Sequence, residues 1–328
     1  MILAGDIGGT NARLATFDVR GGRPALRALR IYPSDRFGRL EEILERFLRE
    51  EGGSIDSAAF GVAGPLRAGV VVTTNLPWVV DADRLAAALG LAEVVLMNDL
   101  EALAWSLDVL GADALGTIHA GRPDPSAARA VIAAGTGLGE AALLSISGRL
   151  VALPSEGGHA DFAPRTDLEI ELLRWLRARH GRVSWERVLS GPGLGDAYRF
   201  LRERSGVPEP PELVRAIAGA GAAKAVSSAA LEGRDPVCAA ALDLFASAYA
   251  AEAGNLALRV LATGGVFLGG GIAPHILPWL RRGVFHEVFT DKGRLAALLE
   301  EIPVHVILDD RAGLLGAARR AMEVPARG

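Results

Sequence analysis

Two stretches of the chain carry side chains suited to gripping hydroxyls and moving a proton. In Ser155-Glu156-Gly157-Gly158-His159-Ala160-Asp161 an acid, an imidazole and two glycines follow an apolar run. A Glu-x-x-His pair on a helix could bind a metal, but Gly157 and Gly158 disfavour helix, and the sequence has no second such pair. A polar binding turn is the better reading. A glutamate accepts hydrogen bonds from hydroxyls, and a neutral histidine offers one donor and one acceptor. That combination suits a polyhydroxylated ligand. The second stretch is Asn98-Asp99, where a strand gives way to a helix. Asp is a preferred N-cap, and this reads as an N-cap position. The end of a strand is also where open α/β sheets place their ligands, and a carboxylate there could take a proton from an attacking hydroxyl. These residues alone leave the two roles balanced. Glu186, in Val183-Ser184-Trp185-Glu186-Arg187, could open a helix after Ser184, where the dipole favours an acid.

Phosphate chemistry is suggested by two glycine turns. Gly5-Asp6-Ile7-Gly8-Gly9-Thr10-Asn11 follows Ile2-Leu3-Ala4, and Gly135-Thr136-Gly137-Leu138-Gly139 follows Ala130-Val131-Ile132-Ala133-Ala134. Each leads into another apolar stretch, so each reads as strand, tight turn, strand. Such turns aim successive backbone N–H groups into one concavity, which suits a phosphate. One such loop would be a hairpin; two, both with threonine, predict two similar domains gripping one nucleotide. The chain has neither a G-x-x-x-x-G-K-[ST] loop nor the protein-kinase set. Backbone N–H groups, Thr10, Thr136 and a hydrated Mg²⁺ must then hold the phosphates. Asp6 leaves the first strand toward its turn and could hold that metal through water. Gly191-Pro192-Gly193 and Gly269-Gly270-Gly271 could be further approaches to a nucleotide, or helix-to-strand punctuation. Asp309-Asp310 reads as a helix cap.

The elements that must position these residues alternate between strand and helix. The first hundred residues read as three strands, helix, two strands, helix, strand, helix, with Leu40, Ile43, Leu44 and Phe47 at helical spacing. A second half starts near Gly111, with strands through Val131, Leu143 and Val151. It continues in a helix-rich stretch from Asp167 to Leu261, short strands at Val266-Phe267-Leu268 and Val304–Leu308, and a last helix from Ala312 to Met322. Glu203 to Pro211 reads as a surface loop. With 328 residues, 50% of them hydrophobic, the chain can fill two cores. A net charge of −4 points away from nucleic acid and anionic membrane as partners. Cys238 is the only cysteine, which excludes an internal disulfide and a cysteine zinc site; its apolar surroundings make it a small core residue. We read no signal peptide and no uninterrupted apolar run of membrane-spanning length, which predicts a cytoplasmic protein.

Taken with Thr74-Asn75-Leu76-Pro77-Trp78, Glu186–Gly193 and Gly269-Gly270-Gly271-Ile272-Ala273-Pro274, these motifs resemble the bacterial ATP-dependent glucokinases, end to end and in the family's order. The absence of a cysteine-rich loop after His159 resembles the zinc-free group. The resemblance implies an α/β, two-domain actin-like ATPase (ribonuclease H-like) fold with an interdomain active-site cleft and a C-terminal helix returning to the first domain. On that basis 1–110 plus 309–328 would form a small α/β domain and 111–308 a large one. It implies Asp99 as the general base for the sugar's 6-hydroxyl, with Asn98, Glu156, His159 and Glu186 binding other hydroxyls and Asn75 beside the sugar pocket. Gly5, Asp6, Ile7, Gly8, Gly9, Thr10 and Asn11 would face phosphate and Mg²⁺, with Thr136 and Gly137 opposite, and Gly270 and Gly271 near the adenosine. Glucose and ATP are the implied substrates, and a homodimer the implied assembly.

Overall fold

The computed structural model describes residues 1–73 and 76–324. They divide into two compact units, 1–114 with 150–154 and 309 onward, and 115–149 with 155–308.

The first unit is built on β1 (Ile2–Ile7), whose uninterrupted apolar character has a topological cause. It is paired on both sides, antiparallel to β2 (Asn11–Arg20) and parallel to the later β4 (Ser57–Val62). A strand paired and covered in this way is buried on both faces, which favours a continuous apolar run. Between β2 and β4 come the edge strand β3 (Arg23–Pro33) and helix α1 (Leu40–Glu51). The helix buries Leu40, Ile43, Leu44 and Phe47 as one stripe, the 3.6-residue period expected of a surface helix. A small sheet of β5 (Leu66–Arg67), β6 (Val70–Val72) and β7 (Val79–Asp81) follows. The expected outline had two strands here instead of four. Strands of two or three residues are too short for an alternating pattern to show. Helix α2 (Ala82–Leu89) starts on Asp81, whose carboxylate accepts from the Asp83 and Arg84 amides, and ends at Gly90 in the left-handed region, φ 63°. Strand β8 (Val95–Asn98) and helix α3 (Asp99–Ser106) complete the run, and the main sheet has the order β3-β2-β1-β4-β8.

The helix Ala312–Ala321 belongs to this unit and packs on α3. Gly316 makes the approach possible. A Cβ there would run into the Ala102 carbonyl and lie 2.7 Å from the Ser106 amide nitrogen. Arg319 anchors the same pair of helices through Asp108 at 2.6 Å.

The second unit repeats the plan. Its sheet is formed by β9 (Leu115–His119), β10 (Arg129–Ala134), β11 (Leu138–Ile146), β12 (Arg149–Ser155), β13 (Gly265–Gly269) and β14 (Val304–Ile307), of which residues 150–154 in β12 are the stretch grouped with the first unit. The sheet order is β12-β11-β10-β13-β14-β9. As β1 does, β10 runs antiparallel to the strand that follows its glycine turn and parallel to the next strand inward. The addition is β9, which pairs antiparallel with β14 and which the sequence reading had not separated from its surroundings. Helices α4 (Asp167–His180), α5 (Gly191–Ser205), α6 (Pro211–Ala220), α7 (Ala222–Leu231) and α8 (Pro236–Val260) fill the interval. Thr166 and Glu169 form a reciprocal capping box at the start of α4. Helix α5 continues to Ser205 and stops at Gly206, φ 65°, so the expected loop at Glu203–Pro211 is confined to 206–210.

By length and composition α8 could cross a membrane, but 78% of its most apolar window is buried inside the unit. Its hydropathy is that of a core helix. Tyr249 at its centre is fully buried and donates to the Ile132 carbonyl at 3.0 Å, tying α8 to β10. Cys238 is also fully buried, and burial, aided by the neighbouring Asp235 charge, pushes its thiol up to about 12. The thiolate is the reactive form. We expect no labelling by a thiol reagent in the native state at pH 8 and stoichiometric labelling in denaturant. Rapid native labelling would contradict this packing.

Candidate functional site

In the first unit the β1–β2 turn is tied down by its own backbone and by one unforeseen residue. The Gly8 amide donates to the Asn11 carbonyl at 3.0 Å. Ser34, fully buried after β3, donates its hydroxyl to the Gly8 carbonyl at 2.9 Å and its amide to the Thr10 carbonyl at 2.9 Å. Two turn carbonyls are thereby consumed. Thr10 and Asn11 are exposed at the tip, Gly8 and Gly9 half-buried. Gly5 and Ile7 serve packing: a Cβ at Gly5 would enter the Phe60 ring, and Ile7 lies in the core.

Asp6 stands opposite Arg13 in the β1–β2 register and beside Gly313, where a Cβ would lie 3.5 Å from its carboxyl carbon. Burial raises its carboxyl above the usual range; Arg13 opposes this and Asp310 adds to it. Arg13 itself donates to the Asp310 carbonyl at 2.7 Å. Arg13 and Asp310 thus act on Asp6, a grouping that sequence separation hides. Asp309 holds the Arg311 amide at 2.9 Å just ahead of the last helix.

At the β8–α3 junction the cap is Asn98, not Asp99. The Asn98 side chain accepts from the Leu100 amide at 2.8 Å, and Asp99 is the first helical residue, its Oδ1 accepting from the same amide at 3.0 Å. Both are half-buried, at the C-terminal end of β8. Gly61 on β4 allows α3 to start so close: a Cβ there would lie 2.8 Å from the Ala102 Cβ and 3.7 Å from the Asp99 Cα. Asn75 lies outside the described residues. Trp78, from the same motif, is buried and donates to the Phe37 carbonyl at 3.1 Å.

In the second unit three of the expected hydroxyl-binding residues meet. His159 lies between two glutamates, with Nε2 4.0 Å from Glu156 Oε2 and Nδ1 4.0 Å from Glu186 Oε1. Glu156 and His159 are exposed, and Glu186 half-buried. Gly157–His159 forms one 3-10 turn where helix was not expected. The two glycines are explained by what lies under them: a Cβ on Gly158 would strike the Leu138 carbonyl, and one on Gly157 the Glu140 carboxylate. Glu186 also accepts from the Leu138 amide at 3.1 Å, and its Oε2 would be 2.5 Å from a Cβ on Gly137. The glycine turn and the Glu156–His159 turn are therefore one assembly. Thr136 is exposed at its tip, and the Gly135 carbonyl accepts from the Gly191 amide at 2.8 Å.

Gly270 has φ 79° and presses on the backbone of Ala134, two reasons against any side chain. Gly271 lines a cavity of about 330 Å³ with Leu194, Ala223, Lys224, Ser227, Ile272 and His275. Lys224 was remote from both glycine turns in sequence; the fold brings it beside Gly271. Among the described residues one further group has ligand types suited to a metal: His119, His286 and Glu300. Hydrogen bonding already engages it. His119 Nε2 contacts the Glu300 carbonyl at 2.7 Å, and His286 Nε2 lies 3.2 Å from its carboxylate.

The duplicated sheet, with a glycine turn in each half, is the two-domain actin-like ATPase fold. The glucokinase family model matches residues 3–324. A glucokinase from Nostoc punctiforme is 41% identical over 335 residues, covering 97% of this chain and 98% of that protein. The crystal structure of a glucokinase from an Antarctic psychrotroph superposes with a TM-score of 0.88 at 34% identity, covering 98% of this chain and 99% of that one. A ROK family glucokinase from Streptomyces griseus, solved with glucose and AMPPNP, shares the fold at a TM-score of 0.67 and 22% identity, covering 98% and 99%. The chain belongs to the glucokinase family and is an ATP-dependent hexose kinase.

Proposed function

We propose that this chain transfers the γ-phosphoryl group of ATP to the 6-hydroxyl of glucose, giving glucose 6-phosphate and ADP, with Asp99 as the general base. The observation that carries the sugar assignment is the convergence of Glu156, His159 and Glu186. Sites built to pair with hydroxyls discriminate strongly, because a substrate lacking one leaves a buried polar group unpaired. Asn98 and Asn75 complete the proposed sugar contacts. Asp99 takes the proton from the attacking hydroxyl; phosphoryl transfer asks for alignment and charge stabilisation more than covalent chemistry.

The Gly8–Asn11 turn, Thr136 and Gly137 are assigned to the phosphates, and the cavity beside Gly270 and Gly271 to the adenosine. We assign a hydrated Mg²⁺ to Asp6. The residues present fit it: burial raises the Asp6 carboxyl, and Arg13 offsets this only in part; a nearby cation favours the ionised form. Bound there, the ion would neutralise charge on the phosphates.

The test is ADP release from Mg-ATP with glucose, mannose, fructose or no sugar. We expect strong release with glucose and the highest kcat/KM for it. A higher kcat/KM for mannose or fructose would replace glucose in this reading. Sugar-independent release would move the function to an ATPase acting on another partner.

A further inference from the structure

We propose that the buried carboxyl of Glu140 is a positioning residue that holds the sugar-binding turn from beneath. The inference rests on the reading of Glu156–His159 as that turn. Glu140 sits on β11 directly after the glycine turn, opposite Ile132, and is 1% exposed. Its Oε2 occupies the space a Cβ on Gly157 would need, with its Cδ 2.8 Å from that point and Ser155 Oγ 3.1 Å away. Ser155 Oγ also accepts from the Gly157 amide at 2.9 Å. Gly157 therefore rests on a carboxyl and a hydroxyl, and whatever moves Glu140 moves the peptide between Glu156 and His159.

The surroundings of Glu140 are unusual for an acid. Behind it, on α8, lies a second fully buried carboxyl, Glu252. Glu252 is held by Arg259 Nη1 and by Asn255 Nδ2 at 2.9 Å. The same Arg259 nitrogen is 3.7 Å from Glu140 Oε2. Lys292 donates to Asn255 Oδ1 at 2.8 Å, and its charge is also felt by Glu252. Tyr249 gives its hydroxyl to Ile132. Glu140 Oε1 is buried without a hydrogen-bond partner. Two carboxyls thus face one guanidinium. Lys292 stands on the far side of Asn255, so a second negative charge on the pair has only Arg259 close at hand, and one shared proton relieves the repulsion between the two carboxyls. Burial, reinforced by the Glu252 charge and opposed by Arg259, raises the Glu140 carboxyl to about 8. Below that pH the pair keeps its proton and the turn its seat. Above it, two carboxylates repel beneath Gly157 and draw in water.

The experiment is the pH dependence of glucose KM and kcat from pH 6.5 to 9 in wild type, Glu140→Gln, Gly157→Ala and His159→Ala, with melting temperatures for each. If only the protonated form seats the turn, wild-type KM rises about tenfold by pH 9, because affinity falls with the competent fraction. In Glu140→Gln, which is neutral and of the same shape, that rise should be lost, with kcat close to wild type. Gly157→Ala, which pushes a methyl onto the same carboxyl, should raise KM at every pH. A Glu140→Gln profile that tracks wild type overturns the proposal, as does Gly157→Ala with unchanged KM. An unchanged KM in His159→Ala would instead overturn the sugar-turn reading itself, so the two failures are separable.

Discussion

Replacing Asp99 with Asn should lower kcat by about 10²-fold or more, the scale of a positioned general base, while glucose binding stays near wild type. The substitution is isosteric, and the helix does not depend on the carboxylate for its cap. Asn98 accepts from the Leu100 amide at 2.8 Å and remains in place. What is lost is the ability to take a proton, and an amide has none of it. Steady-state turnover together with calorimetric glucose binding checks the result. Turnover within a few-fold of wild type would transfer the base role to another group. Loss of glucose binding in step with turnover would make Asp99 a sugar ligand only.

Gly316→Ala should destabilise the protein by about 2 kcal/mol or more and reduce kcat as well. In an open helix the same change gains up to about 1 kcal/mol. Here the new methyl has no room, because the Ala102 carbonyl already fills the space. Overpacking of a side-chain wall costs about 1–3 kcal/mol; a backbone wall cannot change rotamer, so the helices must part. Helix α3 begins at Asp99, and a small displacement of a catalytic group is costly in rate. Gly219→Ala in α6 is the control, since nothing lies within 4 Å of its new methyl. Thermal unfolding and kcat of the two variants decide the matter. Equal melting temperatures would contradict the packing described for Gly316.

The hairpins around both glycine turns were legible because each is local: two apolar runs separated by a few glycines admit little else. The long helices were legible for the same reason, through the spacing of Leu40, Ile43, Leu44 and Phe47. The short strands β5, β7 and β9 were not, since their pairing is set by neighbours that local sequence does not name. Glu156, His159 and Glu186 could be nominated by type, but their meeting depends on Glu186 reaching back to the Leu138 amide, 48 residues earlier in the chain. Ser34, Arg13, Lys224 and Glu140 were missed as site-forming residues. Both Ser34 and Glu140 are buried polar groups, Ser34 hidden in a polar stretch beside Asp35 and Arg36 and Glu140 set in an apolar strand. A residue like Glu140 can be read as a fault in an alternating pattern, and only contacts show otherwise.

The helix Ala312–Ala321 has a consequence for how the protein is made. It is the neighbour of both Asp6, through Gly313, and the helix begun by Asp99, through Gly316. During synthesis, residues 115–308 leave the ribosome before it does. The first unit, although begun first, must wait with its sheet half-covered until the second has emerged. The order of completion is thus the reverse of the order of translation, and the acids assigned to catalysis and to the metal gain their backing only with the last helix.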